Sequence, residues 1–215
     1  MLTRQDRTVE DAADLVDAVC DLGVSHVGFK DVGIPEAAMR RIVASVTRRG
    51  GTTYLEVVST TKASIAQSLA TARTLGVDCV LGGTDLDAAK GALGDLSGYF
   101  PFPGRPFGHP TLLRGTPGMV AQDCARALAT GCGGVDLLAY RATEADPLDL
   151  VRAARAALPN GRLIVAGSVT CKQQIEDLAL AGVDAFTVGS AVFDGAFSTE
   201  GSLRSQIRDI LAVCR

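Results

Sequence analysis

Amphipathic and apolar segments alternate along most of the chain. Three times an amphipathic segment ends at a glycine shortly before an apolar run: Gly23 precedes HVGF, Gly76 precedes CVLGG, and Gly182 precedes AFTVG. Glycine fits the left-handed backbone position that commonly ends a helix, and an apolar, β-branched run fits a buried parallel strand. The alternation therefore predicts repeated βα units around a parallel sheet.

Eight strand-like segments are predicted, with helices between most of them. The strands are expected at 25–30, 53–59, 78–83, 98–102, 111–114, 134–141, 162–167 and 184–189. The helices are expected at 35–48, 62–74, 117–130, 147–157 and 202–213, with another helix after residue 170. Pro35, Pro117 and Pro147 stand where the first turn of a helix tolerates proline.

This order of elements predicts an α/β fold, a single (β/α)8 TIM barrel over residues 1–215 with an extra N-terminal helix at 8–22 that can close the barrel floor. A doubly wound open sheet is the alternative, but eight strand-like runs and the lack of GxGxxG after the first strand favour the barrel. The segment PGRPFGHP, which joins the fourth and fifth strands, is too short for a helical crossover. That unit is therefore degenerate, or one of its two strand assignments is wrong.

Composition and charge exclude several classes of protein. Hydrophobic residues make up 47% of the chain and the net charge is -3, which is typical of a globular protein and gives no reason to expect nucleic acid binding. No apolar run approaches the roughly 20 residues needed to cross a membrane, and the polar start MLTRQDRTVEDAAD is not a signal peptide. A cytoplasmic protein is expected, with free thiols at its six cysteines and a spectator role for Cys171.

Two segments in the last third of the chain carry the most specific signal. IVAGSVT (164–170) and GVDAFTVGSAVFDG (182–195) each place a Gly-Ser pair after a strand, at Gly167-Ser168 and at Gly189-Ser190. Glycine lets backbone N–H groups approach an anion, the next helix presents its N-terminus, and each serine adds a hydroxyl donor. These four residues are predicted to bind phosphate, and the alternative is that the glycines only make tight turns.

The same two segments resemble the ribulose-phosphate-binding barrel superfamily. That group includes sugar-phosphate epimerases, barrel enzymes of histidine and tryptophan biosynthesis, thiamine phosphate synthase and keto-gulonate-phosphate decarboxylase. The resemblance covers about 160–195 and implies that both turns hold a substrate phosphate, without naming a reaction. GGTDLDAAK, after the third predicted strand, lacks the Asp-x-Lys-x-x-Asp pattern of decarboxylases in this superfamily, which makes that reaction less favoured.

Strand alternation predicts a charged pair inside the barrel mouth. Val27 and Phe29 suit the helix layer, so Lys30 is expected to point inward, and the same alternation points Glu56 inward on the next strand. Neighbouring strands are about 4.8 Å apart, so the two side chains can meet. Glu56 is predicted to accept a proton and Lys30 to donate one or to form a Schiff base. An ion pair that only fills the mouth is the alternative.

Other polar residues are expected at the same rim. Asp85, after the third strand, is a candidate catalytic residue, with a helix cap as the alternative. The candidate substrate-binding residues are Arg105, His109, Arg114 and Arg141. Arginine suits carboxylate or phosphate recognition, so this set suggests a polyanionic substrate with a second acid group. Surface salt bridges, and for His109 a structural or an acid-base role, are the alternatives.

The leading hypothesis is an enzyme that acts on a phosphorylated sugar or sugar acid. Its expected reaction is an isomerase- or epimerase-type proton transfer next to a carbonyl. The alternatives are a Schiff-base aldolase or lyase that uses Lys30, and a non-catalytic barrel that binds a phosphorylated metabolite. No cofactor or metal is expected, although Glu56 with the rim carboxylate Asp85 can be read as magnesium ligands. The sequence does not decide between a monomer and a homo-oligomer.

Overall fold

Strands and helices alternate in the computed structural model, which describes residues 1–59 and 61–214. The strands are β1 (Thr3–Arg4), β2 (Arg7–Thr8), β3 (His26–Lys30), β4 (Thr52–Val57), β5 (Cys79–Gly82), β6 (Tyr99–Phe100), β7 (Arg105–Phe107), β8 (Leu112–Arg114), β9 (Gly134–Leu137), β10 (Arg162–Val165) and β11 (Ala185–Phe186). The α-helices are α1 (Ala12–Val19), α2 (Glu36–Thr47), α3 (Lys62–Leu75), α4 (Leu86–Leu93), α5 (Pro117–Thr130), α6 (Pro147–Ala157), α7 (Lys172–Leu180), α8 (Ser190–Phe193) and α9 (Leu203–Val213). Short 3-10 helices cover Cys20–Leu22 and Ala139–Arg141. Thr60 and Arg215, which belong to the predicted domain, lie outside the described residues.

Parallel strands form the wall of the barrel. β3, β4, β5 and β6 are neighbours in one sheet, and β9, β10 and β11 are neighbours in another. The two sheets meet where the Asp136 N–H donates to the Pro101 carbonyl oxygen at 3.0 Å. Within the first sheet the register places Lys30 directly beside Glu56. Both residues therefore lie at the carboxyl ends of their strands, which is the face where barrels of this kind place their sites.

The first residues of the chain complete the ring between β11 and β3. The backbone nitrogen of Met1 donates to the Val188 carbonyl oxygen at 2.8 Å, and the Leu2 N–H donates to the Gly28 carbonyl oxygen at 2.7 Å. A Cβ added to Gly28 would meet the Met1 sulfur, so the Met1 side chain packs directly against this glycine. The N-terminal segment thus bridges the loop after β11 and the strand β3 through one backbone hydrogen bond to each.

The predicted barrel strand at 111–114 is wrong. Residues Leu112–Arg114 form β8, which pairs antiparallel with β7 in a hairpin, and PGRPFGHP supplies β7 instead of a plain connection. β6 is followed around the ring by β9. The reason is that eight residues cannot carry the chain back for another parallel strand, whereas an antiparallel hairpin needs only a short turn.

The N-terminal helix is present but is shorter than the predicted 8–22, because Thr8 belongs to β2 and the helix begins at Ala12. It packs in the outer helix layer and does not close the barrel floor. The Ser45 hydroxyl of α2 donates to the Asp17 carboxylate at 2.6 Å, and Arg204 of α9 donates to Asp21 at 2.7 Å. The helix α1 therefore lies between α9 and α2.

Caps and glycines explain where the other helices begin and end. The observed α5 and α6 have the predicted bounds, and each begins at a proline after a capping side chain, Thr116 or Asp146. The helix α3 ends at Gly76, whose φ of +67° is the left-handed conformation that the sequence pattern predicts. Inside the barrel, Leu81, Phe100 and Ile164 form an apolar cluster. The register places Leu81 beside Glu56 and Ile164 beside Asp136, so the charged residues border this apolar cluster.

Candidate active site at the barrel mouth

Lys30 and Glu56 make direct contact inside the mouth. The Lys30 Nζ lies 3.2 Å from Glu56 Oε1, and the two residues are only 3% and 6% exposed. The contact arises because Val27 and Phe29 pack in the helix-layer core, which turns Lys30 toward the barrel axis. The structure thus brings together the two residues predicted to handle protons. Their catalytic role stays a prediction.

A second carboxylate, Asp6, reaches Lys30 from the N-terminal hairpin formed by β1 and β2. Asp6 accepts hydrogen bonds from Lys30 Nζ at 3.0 Å, from both terminal nitrogens of Arg141 at 2.8 and 2.9 Å, and from the Thr111 N–H at 3.0 Å. Burial alone would raise the pKa of Asp6, but the hydrogen bonds and charges of Arg141 and Lys30 outweigh burial and hold that pKa below its ordinary value. Asp6 is therefore a charged, fully engaged carboxylate.

A third carboxyl group, Asp136, lies inside the barrel without a hydrogen bond. Val135 and Leu137 of β9 pack in the helix-layer core, so Asp136 points inward and is 0% exposed. Neither of its side-chain oxygens has a partner among the described residues. Burial, and then the nearby Glu56 carboxylate, raise the pKa of Asp136 well above its ordinary value. The mouth therefore contains carboxyl groups in opposite electrostatic situations.

Arg141 links this charged cluster to the first Gly-Ser turn. It is positioned by the 3-10 helix Ala139–Arg141, and its guanidinium also donates to the Thr111 carbonyl oxygen at 3.0 Å. A Cβ added to Gly167 would lie 2.4 Å from Arg141 Nε, and Gly167 has φ +76°. Both the close approach and the backbone conformation therefore require glycine at this position.

The two predicted phosphate turns lie side by side but have different surroundings. They follow the paired strands β10 and β11. Ser168 is exposed, with φ +59°. Ser190, by contrast, accepts a hydrogen bond from the Gln5 N–H at 3.0 Å, and a Cβ on Gly189 would meet the Thr3 hydroxyl at 2.6 Å. The N-terminal hairpin therefore covers the second turn.

The remaining predicted site residues lie farther from Lys30. Asp85 caps α4, where its carboxylate accepts from the Ala88 N–H at 2.9 Å, so the geometry favours the helix-cap interpretation. Arg114 stacks on the Phe107 ring at 4.2 Å and lies 3.7 Å from Glu144. His109 is exposed in the β7–β8 hairpin, and Arg105 lies on the same hairpin. The predicted binding set is therefore split between the cluster and the hairpin.

An open cleft of about 580 Å³ lies next to the charged cluster. Its walls come from the loops after β4 and β5, the β7–β8 hairpin and the helix α5. Arg105 and Thr111 are among its lining residues. Since Thr111 also bonds to Asp6 and Arg141, the cleft and the cluster share a residue.

Sequence reasoning missed Asp6 and Asp136. For Asp136 a signal was present, because Val135 and Leu137 flank it as Val27 and Phe29 flank the inward Gly28. For Asp6 there was none, since its contacts with Thr111 and Arg141 span more than a hundred positions and even its contact with Lys30 spans 24.

Three further features of the described residues are the state of the cysteines, groups of possible metal ligands and the length of apolar helices. The six cysteines are free thiols, and Cys171 is exposed at the start of α7. Within the described ranges, His, Cys, Asp and Glu side chains form no group of three suited to a metal ion. None of the helices described is both long enough and apolar enough to cross a membrane.

Comparison with solved structures shows the same fold in well-known enzymes. A thiamine phosphate pyrophosphorylase from Pyrococcus furiosus matches 94% of this chain and 88% of its own, at 14% identity and a TM-score of 0.62. An orotidine 5'-phosphate decarboxylase from Pyrococcus horikoshii matches 93% of both chains, at 16% identity and 0.63. A tryptophan synthase complex from Pyrococcus furiosus matches 98% of this chain and 96% of its own, at 16% identity and 0.63.

No protein-family model matches the chain, and no curated protein shows significant sequence similarity to it. Thiamine phosphate and tryptophan enzymes are among those of the superfamily that residues 160–195 resemble, and this chain shares their fold. At identities of 14% and 16%, the similarity shows that the fold is shared and does not show that the reaction is shared. The predicted (β/α)8 TIM barrel is thereby confirmed.

Proposed function

We propose that this chain is an enzyme that acts on a phosphorylated sugar or sugar acid and transfers a proton at a carbon next to a carbonyl group. The observation that carries the proposal is the position of Lys30, whose ammonium group lies between two buried carboxylates at the barrel mouth. Burying an ion pair is costly because both charges lose their water, so such a cluster is poorly explained by stability alone. Perturbed charged groups of this kind concentrate at functional sites.

Glu56 and Lys30 divide the chemistry between them. The Glu56 carboxylate takes the proton from the carbon, and the Lys30 ammonium donates a hydrogen bond to the carbonyl oxygen as negative charge develops there. In an isomerase, Glu56 returns the proton to the former carbonyl carbon, and the hydroxyl proton of the first carbon moves to the former carbonyl oxygen, so that the carbonyl group changes place. In an epimerase, Asp136 gives a proton to the other face of the same carbon, Glu56 keeps the proton it took, and the original carbonyl group forms again. Asp136 suits this donor role because burial raises its pKa and favours its protonated form.

The phosphate of the substrate binds at the turns after β10 and β11. Gly167 and Ser168 supply one turn, and Gly189 and Ser190 supply the other, beside the first turn of α8. Barrels often build a phosphate site from the loops after their last two strands. Two of the solved structures with this fold are named for compounds that carry phosphate, which supports a phosphorylated substrate here as well.

Access to Lys30 requires the N-terminal hairpin to move aside. Asp6 is 4% exposed and covers Lys30, and the same hairpin bonds to Ser190. An acid group of the substrate has the same chemistry as the Asp6 carboxylate, so it can take over the bonds to Arg141 and Lys30. Replacement of one carboxylate by another keeps the buried cations paired throughout.

The test is proton exchange in heavy water. A panel of phosphorylated sugars and sugar acids is incubated with the protein, and loss of the proton next to the carbonyl is followed by NMR. The native chain should exchange one such proton, Lys30→Met should slow exchange at least a thousandfold, and Lys90→Met, which removes an exposed lysine on α4, should leave the rate unchanged. Lys30→Arg keeps the charge and checks that a folded variant is also inactive.

Two results would contradict proton transfer. A substrate-sized mass increase on Lys30 after borohydride treatment would assign the Schiff-base aldolase chemistry instead. Binding of a panel compound without any exchange would assign a non-catalytic binding protein.

Phosphate binding is tested separately by calorimetry. Ser190→Asp places a negative charge at the second turn and should weaken binding of a phosphorylated ligand at least tenfold. Ser202→Asp adds the same charge at the start of α9, where aspartate still caps the helix, and should change the affinity little. Equal affinity in the Ser190→Asp variant would remove the second turn from the site.

A further inference from the structure

The open cleft lies on the side of the barrel mouth away from the Gly-Ser turns. It is bounded by the loops after β4 and β5, whereas the turns follow β10 and β11. The charged cluster around Lys30 lies between the two regions around the ring. The volume of about 580 Å³ falls within the usual range for small-molecule sites, about 300–1,000 Å³. The cleft is therefore large enough for part of a substrate that reaches across the mouth.

Two arginines of the cleft are available for an acid group. Arg105 has no carboxylate within 4.0 Å among the described residues, and Arg126 has Asp123 only at 3.9 Å. Asp123 is itself engaged, because it accepts a hydrogen bond from the Gly104 N–H at 3.0 Å. Two guanidinium groups in the lining of one cleft suit a carboxylate or a phosphate, which accepts several charge-assisted hydrogen bonds.

Three residues that carry hydroxyl groups are among those that line the cleft. They are Ser59, Thr84 and Thr111. Thr111 is only 3% exposed, and its hydroxyl has no hydrogen-bond partner among the described residues. A second buried hydroxyl without a partner, that of Tyr99, would lie 3.2 Å from a Cβ on the lining residue Gly83. Buried hydroxyls without partners are costly, so a polar ligand group that reached the Thr111 hydroxyl would be favoured there.

We propose that this cleft binds the far end of the substrate, a hydroxylated chain that ends in a second acid group held by Arg105 and Arg126. The inference rests on the proposed function and names its substrate class, a sugar derivative with acid groups at both ends. Thr111 connects the two regions, because its backbone bonds to Asp6 and Arg141 and the residue is also part of the cleft lining.

The experiment compares ligands that differ by one acid group. The pairs are glycerol 3-phosphate with 3-phosphoglycerate, which adds a carboxylate, and fructose 6-phosphate with fructose 1,6-bisphosphate, which adds a phosphate. Calorimetry at constant ionic strength should show that the native chain binds at least one diacid tenfold more tightly than its monoacid partner. The pair that shows the preference identifies the second group as carboxylate or phosphate.

Charge-matched variants show whether the cleft causes the preference. Arg105→Ala with Arg126→Ala should abolish the preference and leave the monoacid affinity within about threefold, since hydrogen bonds to charged groups are the strong ones. The control, Arg40→Ala with Arg152→Ala, removes two exposed arginines from other helices and should keep the preference. Thr111→Val should weaken diacid binding while leaving thermal stability equal or higher, because it removes an unpaired buried hydroxyl.

Each remaining outcome overturns the inference. Equal binding of both members in every pair, an intact preference in the Arg105→Ala, Arg126→Ala variant, or an equal loss in the control would remove the second acid site. Monoacid binding that stays sensitive to Ser190→Asp would then leave the proposed function standing. Failure of every phosphorylated compound to bind would overturn both.

Discussion

Asp6 and Asp136 are both buried at the same barrel mouth, yet their surroundings are opposite. Asp6 accepts four hydrogen bonds, from Lys30, Arg141 and the Thr111 backbone. Asp136 accepts none from the described residues and lies near the Glu56 carboxylate. Burial alone would raise the pKa of each, and in Asp6 the two cations reverse that effect.

The difference teaches that burial does not by itself decide the charge of a carboxyl group. The number and sign of its partners decide it, and the partners come from the tertiary structure. In this mouth a carboxylate whose pKa is lowered by two cations and a carboxyl group whose pKa is raised by burial lie near one lysine. Carboxyl groups whose pKa values are pushed apart suit opposite roles, and in the proposed reaction Glu56 accepts the proton while Asp136 donates one.

The largest expected effect comes from removing the engaged carboxylate. Asp6→Ala leaves Arg141 without its ion-pair partner, and leaves Lys30 with Glu56 alone, so the free energy of unfolding at pH 7 should fall by about 3 kcal/mol. Asp6→Asn retains an oxygen acceptor and should lose less. Urea unfolding curves measure both. A loss under about 1 kcal/mol for Asp6→Ala would mean that these bonds do not hold the hairpin in place.

The next effect has the opposite dependence on pH. Because the folded-state pKa of Asp136 is raised, the folded chain binds a proton that the unfolded chain releases, and stability falls as pH rises above the unfolded value of about 4. Asp136→Asn has no carboxyl group at this position and therefore does not lose stability in this way. Between the unfolded-state and folded-state pKa values of Asp136, the free energy of unfolding of the variant relative to that of the native chain should increase by about 1.4 kcal/mol for each pH unit. Asp6 has a lowered pKa, so its contribution is lost only as pH falls below about 4.

This prediction is tested by measuring the free energy of unfolding of both chains from pH 4 to pH 8. The test is how the difference between Asp136→Asn and the native chain changes with pH, and not the size of that difference at one pH. A difference in unfolding free energy that is the same at every pH would reflect only the packing of the new amide group. Asp149→Asn, at an exposed carboxylate on α6, should follow the native slope and serves as the control. Parallel curves for Asp136→Asn and the native chain would show that Asp136 is ionised alike in both states.

Part of the fold and of the candidate site could be predicted from short-range sequence patterns. The contact between Lys30 and Glu56 follows from strand alternation and from the adjacency of consecutive parallel strands. The bounds of α5 follow from a capping threonine, a proline and a glycine that stand next to one another in sequence. These features depend on neighbouring residues, which is why sequence alone predicts them.

The segment Gly-Val-Asp occurs three times in the sequence, and its aspartate does not have the same role each time. Asp78 and Asp184 each end a Gly-Val-Asp segment, and each accepts from a backbone N–H of the neighbouring strand at 2.7 Å. Asp136 ends the same letters but lies within β9, where it points into the barrel. The hairpin turn at Gln5 and Asp6 is harder still, because both residues adopt left-handed φ values of 51° and 59° without a glycine. The bonds of Asp6 to Lys30, Thr111 and Arg141 and the bond of the Gln5 N–H to Ser190 hold that turn in place.

The smallest expected effect concerns the outer end of the same hairpin. Arg4 Nη2 lies 2.8 Å from Asp194 Oδ1, as close as Arg141 lies to Asp6, but both side chains of the outer pair are about half exposed. Water already solvates exposed charges, so the pair gains little, and Asp194→Ala should lower the free energy of unfolding by less than about 1 kcal/mol. High salt should erase even that loss, because it screens exposed charges more than buried ones. Urea unfolding with and without 1 M salt, beside Asp6→Ala, gives the comparison. A loss in Asp194→Ala that equals the loss in Asp6→Ala would mean that the hairpin is held by its exposed end, and Asp6 would then be a weak barrier to ligands at Lys30.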